Sequence, residues 1–197
     1  MMLARADSGK EAVEFSAADM CAIVREAAEQ GGKLARIRGL HFSADVPNDP
    51  VWIQADADAL RRALLILIHN AAKSTLPGGS VTITFEARGG FAVASVSDTG
   101  MGIAKDDVRH IFDRFWRADK ARSREQGGAG LGLSIAKWIV EMHRGTIGVE
   151  SEIANGSTFW IRVPLERGGV TAGEANVLHA TQTHLKSGER PGNSAGS

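Results

Sequence analysis

Apolar positions first recur at helical spacing in residues 16–30, where Met20, Ile23, Val24 and Ala27 form one stripe. Ser16 is a candidate cap and Gly31-Gly32 a stop, so the pattern predicts a helix between them. Residues 37–42 and 51–54 read as short strands separated by the turn-rich run from Asp45 to Pro50. The strongest helical signal is Asp56 to Lys73. Its stripe is Leu60, Leu64, Leu67, Ile68 and Ala71, while Ile66, Asn70 and Lys73 share an adjoining face. Val81–Arg88 and Phe91–Ser97 alternate like strands around a Gly89-Gly90 turn. Residues 98–130 then lose periodicity, apart from a short helix suggested over Asp106–Trp116. A loop of that length inside a domain is usually functional. Leu131–Met142 is helical again, and Thr146–Ser151 with Thr158–Pro164 reads as a closing hairpin. The order α-β-β-α-β-β-loop-α-β-β predicts an α/β two-layer sandwich, not a doubly wound parallel sheet. Residues 1–14 look like the end of a helix, residues 15–165 like the domain, and residues 166–197 like a flexible tail with little apolar periodicity.

Charge narrows the function classes. Lys plus Arg is 23 and Asp plus Glu is 23, so there is no global electrostatic case for nucleic acid or an anionic membrane. The longest apolar run, Ala63–Ile68, is far short of the ~20 residues of a membrane span, and no signal peptide is visible. The single cysteine, Cys21, excludes an intrachain disulfide framework and reads as core filling. His179 and His184 lack partners at metal-site spacing. The 23 glycines exceed the roughly 14 expected from average usage, so their placement matters.

Three segments could carry chemistry. Asn70-Ala-Ala-Lys73 puts an amide oxygen suited to Mg2+ and an ammonium suited to phosphate on one helix, although both also suit a solvent-facing surface. Asp98-Thr-Gly-Met-Gly-Ile103 follows a strand. Gly100 and Gly102 permit a tight turn, and an ionised Asp98 could accept from an exocyclic amine, which adenine has and guanine lacks at the equivalent place. An ordinary Asx turn is the alternative. Gly127-Gly-Ala-Gly-Leu-Gly-Leu133 runs into a helix whose N-terminal N–H groups suit phosphate. It lacks the lysine of a Walker A loop and the early position of a dinucleotide fingerprint, and a plain linker is the competing reading.

Together these segments resemble the ATP-binding catalytic domain of sensor histidine kinases, within the gyrase/Hsp90/kinase/MutL ATPase group. LRRALLILIHNAAKST resembles the N box, SDTGMGI the G1 box and IFDRFWRAD the F box. GGAGLGLSIAKWIVEMHRGTIGVES with NGSTFWIRVPL resembles the G2 box and its closing hairpin. The resemblance implies a Bergerat-type sandwich: a mixed, mostly antiparallel sheet backed by about three helices, with a mobile ATP lid between the F and G2 boxes. It implies ATP and Mg2+ as cofactors. Asn70 would bind Mg2+, Lys73 and Arg117 phosphate, and Asp98 the adenine amine, with Gly100, Gly102 and Ile103 shaping the adenine pocket. Phe112 and Phe115 would anchor the lid; Gly128, Gly130 and Gly132, with Leu131 and Leu133, would form its phosphate-facing hinge, and Thr158 would lie near the base.

The implied function is transfer of the ATP γ-phosphoryl group to a histidine of a dimerisation domain in another segment or subunit, and thence to a response regulator, in the cytoplasm. Departures keep a non-catalytic nucleotide-binding module, or a degenerate truncated kinase, as the alternative. Ile66 stands where the group carries Asn or a general-base Glu, Ser74 where Tyr is common, and Ala129 where Thr or Ser is common. None of His41, His69, His110 or His143 resembles a phosphoacceptor, whereas residues 2–11 resemble the end of the helix that follows one. The chain is therefore expected to begin just after the acceptor module.

Overall fold

The computed structural model describes residues 14–117 and 129–166. The expected helical remnant, the tail, Gly128 and most of the lid lie outside the described residues. The chain opens with strand β1 (Ser16–Asp19), helix α1 (Met20–Ile37) and strands β2 (His41–Asp45) and β3 (Trp52–Ala55). Helix α2 (Ala57–Ser74), strands β4 (Ser80–Arg88) and β5 (Phe91–Asp98) and the single turn α3 (Lys105–Val108) follow. Helix α4 (Gly132–Met142) and strands β6 (Thr146–Glu152) and β7 (Gly156–Pro164) complete it.

A five-stranded sheet runs β2-β4-β5-β7-β6, and only β2–β4 is parallel. That pair needs a crossover, which α2 supplies. Alternation sends Val81, Ile83 and Phe85 of β4, Ala94 and Val96 of β5, and Phe159 and Ile161 of β7 to one buried face. There they pack under the buried Leu60, Leu64, Leu67, Ile68, Ile139 and Val140 of the helices. The opposite face is polar, with hydroxyl pairs Ser43–Thr82 and Ser97–Thr158, each 2.9 Å apart. This is the expected two-layer, mostly antiparallel sandwich.

Helix α1 corrects the sequence reading. It starts four residues after Ser16, because the chain first pairs as β1 against β3, and Asp19 is the cap, its carboxylate accepting from the Cys21 N–H at 3.0 Å. It also runs through Gly31-Gly32. A Cβ on Gly31 would lie 2.7 Å from Ile68 Cγ2, so that glycine permits the α1–α2 crossing. The actual stop is Gly39, at φ +68, with Leu40 N–H donating to Ala35 O and Gly39 N–H to Arg36 O. The strand read at 37–42 consequently begins only at His41. Asp56 caps α2 by accepting from Ala59 N–H at 2.9 Å. Gly89 and Gly90, both at positive φ, make the β4–β5 hairpin.

Candidate functional site

Asp98 ends β5 on the helix-covered face of the sheet, 6% exposed. Its Oδ1 accepts from Gly100 N–H at 2.8 Å, while Oδ2 is buried with no hydrogen-bond partner. Burial pushes the carboxyl above its ordinary 3.8, against the pull of the Gly100 and Ser157 backbone. An unsatisfied buried carboxylate oxygen costs about 1–3 kcal/mol or more, so a ligand donor placed there recovers that cost.

The loop after Asp98 is threaded between two fixed walls. Met101 N–H donates to Ser74 O at the end of α2, and Ala154 N–H donates to Met101 O from the β6–β7 turn. Ile103 N–H donates to Ser151 Oγ at 2.8 Å, and that hydroxyl in turn donates to Gly156 O. A Cβ on Gly100 would lie 2.4 Å from Ser74 O, and one on Gly102, which has φ +69, 1.9 Å from Glu152 O. Both glycines are therefore demanded by close approach of the protein's own backbone.

This threading sets Asp98 beside the C-terminal half of α2, which carries the half-buried Asn70 and Lys73. Ile66, one turn earlier on the same face, packs beside the start of α4: a Cβ on Gly132 would lie 3.4 Å from its Cγ2. Helix α4 has Leu131 at its N-cap with no side-chain cap, and the partial positive charge of its N-terminus suits an anion. Leu133 packs partly against the core. Phe115 N–H donates to Gly130 O at 3.0 Å, which brings the end of the 111–117 segment, with Arg117, to the start of α4. Asn70, Lys73, Asp98, Gly100, Gly102, Ile103, Gly130 and Gly132 thus surround one end of the helix layer.

Thr158 and Phe115 stand only partly where the resemblance placed them. Thr158 points to the opposite face from Asp98, its hydroxyl paired with Ser97. The residue opposite Asp98 in the sheet is the buried Ser157, whose Oγ lies 2.9 Å from Ser151 Oγ. Strand alternation from the buried Phe159 was the signal that would have found it. Phe115 does not pack as an anchor either. It is 68% exposed at φ +64, while Phe112 meets Phe159 edge-on at 6.4 Å and Trp116 packs partly on the core.

An open pocket of about 300 Å³ is lined by Asp98, Glu150, Ser151, Glu152, Ser157 and Thr158, among others. Among the described residues, no group of three or more His, Cys, Asp or Glu could hold a metal ion. A divalent cation there would rest on the Asn70 amide oxygen plus nucleotide phosphates and water, a sparse protein ligation that suits Mg2+. Among the described residues, no helix is long and apolar enough to cross a membrane.

Residues 55–167 match the family described as histidine kinase-, DNA gyrase B- and HSP90-like ATPases. The chain belongs to this family. Among the ATPase-family relatives, the sensor histidine kinase RppB of Synechocystis is 36% identical over 165 residues, covering 84% of this chain and 36% of that protein. The sensor-like histidine kinase SenX3 of Mycolicibacterium smegmatis is 36% identical over 162 residues, covering 82% of this chain and 42% of its own length. The chain thus spans about two fifths or less of these curated relatives. Among solved structures, the catalytic domain of histidine kinase ThkA aligns with a TM-score of 0.68 at 28% identity, covering 77% of this chain and 96% of that one. Full-length ShkA in complex with AMPPNP aligns with a TM-score of 0.68 at 31% identity, covering 80% of this chain and 32% of that one. The fold is therefore that of a histidine kinase ATPase domain.

The raised Asp98 value gives the site a pH signature. An amine donor needs the ionised carboxylate, and in the free protein protonation competes above the ordinary 3.8. Adenosine, which has no titrating phosphate, is expected to bind more weakly as pH falls from neutrality into the carboxylate range, with a proton released on binding there. Competition titrations against a fluorescent adenine nucleotide check this, and a pH-independent affinity over that range rejects it. The sign for folding is opposite: Asp98's own contribution to the stability of the empty domain falls as pH rises through the same window, because the folded state holds this proton more tightly than the unfolded chain.

Proposed function

We propose that this chain is the ATP-binding kinase module of a two-component sensor histidine kinase. It places the ATP γ-phosphoryl group in line with an imidazole nitrogen of a phosphoacceptor domain, in another segment or subunit, on the cytoplasmic side. Residues 15–165 form the module in this reading, with residues 1–14 leading from the acceptor helix. The observation that carries the proposal is the buried, unpartnered Asp98 Oδ2 beside glycines whose backbone leaves no room for a Cβ. Asp98 takes the adenine amine, with Ser157 beside it. Asn70, Lys73, Arg117 and the α4 N-terminus hold the phosphates. When bound, Mg2+ neutralises the developing charge on the transferred group, held from the protein side by Asn70. The acceptor histidine passes the phosphoryl group on to an aspartate of a response regulator.

Ile66 favours a second reading on one point. It sets an apolar group against Gly132 and offers neither a metal ligand nor a general base. Water activation through this position is absent, which suits transfer to an external histidine and equally suits a module that binds nucleotide without transfer. Mixing the chain with Mg-ATP labelled at the γ-phosphate and an acceptor-histidine helical hairpin separates the two. The expected result is acid-labile label on the hairpin, lost with Asp98→Asn. Tight ATP binding without label selects the binding module, and no nucleotide binding rejects both.

A further inference from the structure

His143 follows α4 and is 3% exposed, with both ring nitrogens engaged. Nε2 lies 3.0 Å from the Asp56 backbone nitrogen, a donor only, and Nδ1 lies 2.7 Å from Ile139 O, an acceptor only. These partners admit one state: a neutral imidazole carrying its proton on Nδ1. Phe15 covers the ring at 4.9 Å between centroids.

Asp56 is the N-cap of α2, and His143 is the C-cap of α4. At the other end of α4, Gly132 meets Ile66. The two helices therefore run antiparallel, tied at one end by His143 and bearing the candidate site at the other. Between the ends the helices pack together with apolar core residues, among them Ala63 of α2 and Ala136 and Ile139 of α4. Apolar packing is non-directional, so a directional bond between the helix ends adds a constraint on their axial register. A one-residue slip moves a helix by about 1.5 Å, and misplacement on that scale is enough to spoil a reacting geometry. The Asp56 N–H bond to Nε2 crosses between the helices and is directional, and the Nδ1 bond to Ile139 O, within α4, holds the ring in place to accept it.

We propose that His143 is a positioning residue: as the Nδ1–H tautomer it locks α4 along α2 and so sets the spacing between Asn70 and Lys73 on one helix and the phosphate-facing start of the other. This rests on the proposed nucleotide site for its consequence, but the lock itself is a property of the empty domain. His143→Gln keeps an acceptor for Asp56 N–H, whereas His143→Leu keeps neither bond.

The test uses the full chain at neutral pH. Long-range nitrogen–proton NMR of the wild type is expected to show the His143 Nδ1–H tautomer; an Nε2–H ring or an imidazolium overturns the lock. In Mg-ATP titrations His143→Leu is expected to bind about 10-fold more weakly and His143→Gln within about 3-fold of the wild type. Wild-type affinity in a folded Leu variant, or a folded Gln variant as weak as an affinity loss of about 10-fold, overturns the proposal. If the Leu variant does not fold, the wild-type tautomer and the Gln variant decide. If the wild type binds no ATP, the proposed function fails by itself. The lock is then judged on the tautomer and on amide exchange of residues 66–73, expected to quicken in His143→Leu and not in His143→Gln.

Discussion

Replacing Asp98 by asparagine is expected to abolish adenine-nucleotide binding while leaving the empty domain as stable as before, or more so. The carboxylate has two oxygens with different duties. Oδ1 accepts from Gly100 N–H and holds the turn; an asparagine oxygen can do the same. Oδ2 is buried and unpartnered, and the amide would put an NH2 group there, facing the donors of the adenine edge. Loss of a charge-assisted hydrogen bond together with a donor–donor mismatch is worth on the order of 100-fold or more in affinity. For the empty domain the balance is reversed. A neutral amide is cheaper to bury than a carboxylate whose ionisation is already disfavoured there. A gain of about 1 kcal/mol would raise the melting temperature by about 2–4 °C in a domain of this size. Calorimetric titration with ATP and thermal unfolding without it check both halves. Unchanged affinity, or a large drop in the melting temperature of the empty variant, overturns the assignment.

That separation of duties shows how much of the site could be read from the chain. Asp98, Gly100 and Gly102 were legible because a strand ends in a charged residue followed by two glycines, a pattern a core strand has no reason to carry. Asn70 and Lys73 were legible because a strongly periodic helix fixes which residues share a face, and α2 obeys that period. Thr158 came from resemblance alone, whereas the side of the sheet its hydroxyl takes, away from the Asp98 carboxylate that Ser157 accompanies, depends on strand parity. A one-residue error sends a side chain to the other side of the sheet, and only the buried Phe159 fixes the count. Gly31 failed differently. Glycine punctuates helices in isolation, but here tertiary packing against Ile68 outweighs its propensity cost of about 1 kcal/mol. Strand β1 escaped notice because Ser-Ala-Ala-Asp has no strand signature of its own and exists through pairing with β3. Phe115, an aromatic at positive φ, donates its N–H to Gly130 O fifteen residues on, a contact that no local pattern encodes.

Gly102→Ala is expected to lose binding and stability together, the opposite pairing to Asp98→Asn. Its φ of +69 is unfavourable for any side chain, and the added methyl would lie 1.9 Å from Glu152 O and 2.6 Å from its carbonyl carbon. Neither neighbour is the free end of a flexible side chain. The clash can be relieved only by moving the loop or the β6–β7 turn. Moving the loop away breaks the bonds from Ala154 N–H to Met101 O and from Ile103 N–H to Ser151 Oγ. Left-handed strain of about 1–2 kcal/mol and an overpacking cost of about 1–3 kcal/mol add to a loss near 3 kcal/mol, or roughly 10 °C in melting temperature. Gly89→Ala is the internal control. That glycine also has positive φ, +57, but nothing lies within 4 Å of the added methyl. It should therefore show the conformational strain alone, about 1–2 kcal/mol, with ATP affinity unchanged. Thermal unfolding and ATP titration of the two variants side by side make the comparison. If Gly102→Ala melts like Gly89→Ala and still binds ATP, the threading of this loop between α2 and the β6–β7 turn is not what shapes the base pocket. If it loses both properties while Asp98→Asn loses only one, glycine supplies the geometry of the site and aspartate its chemistry.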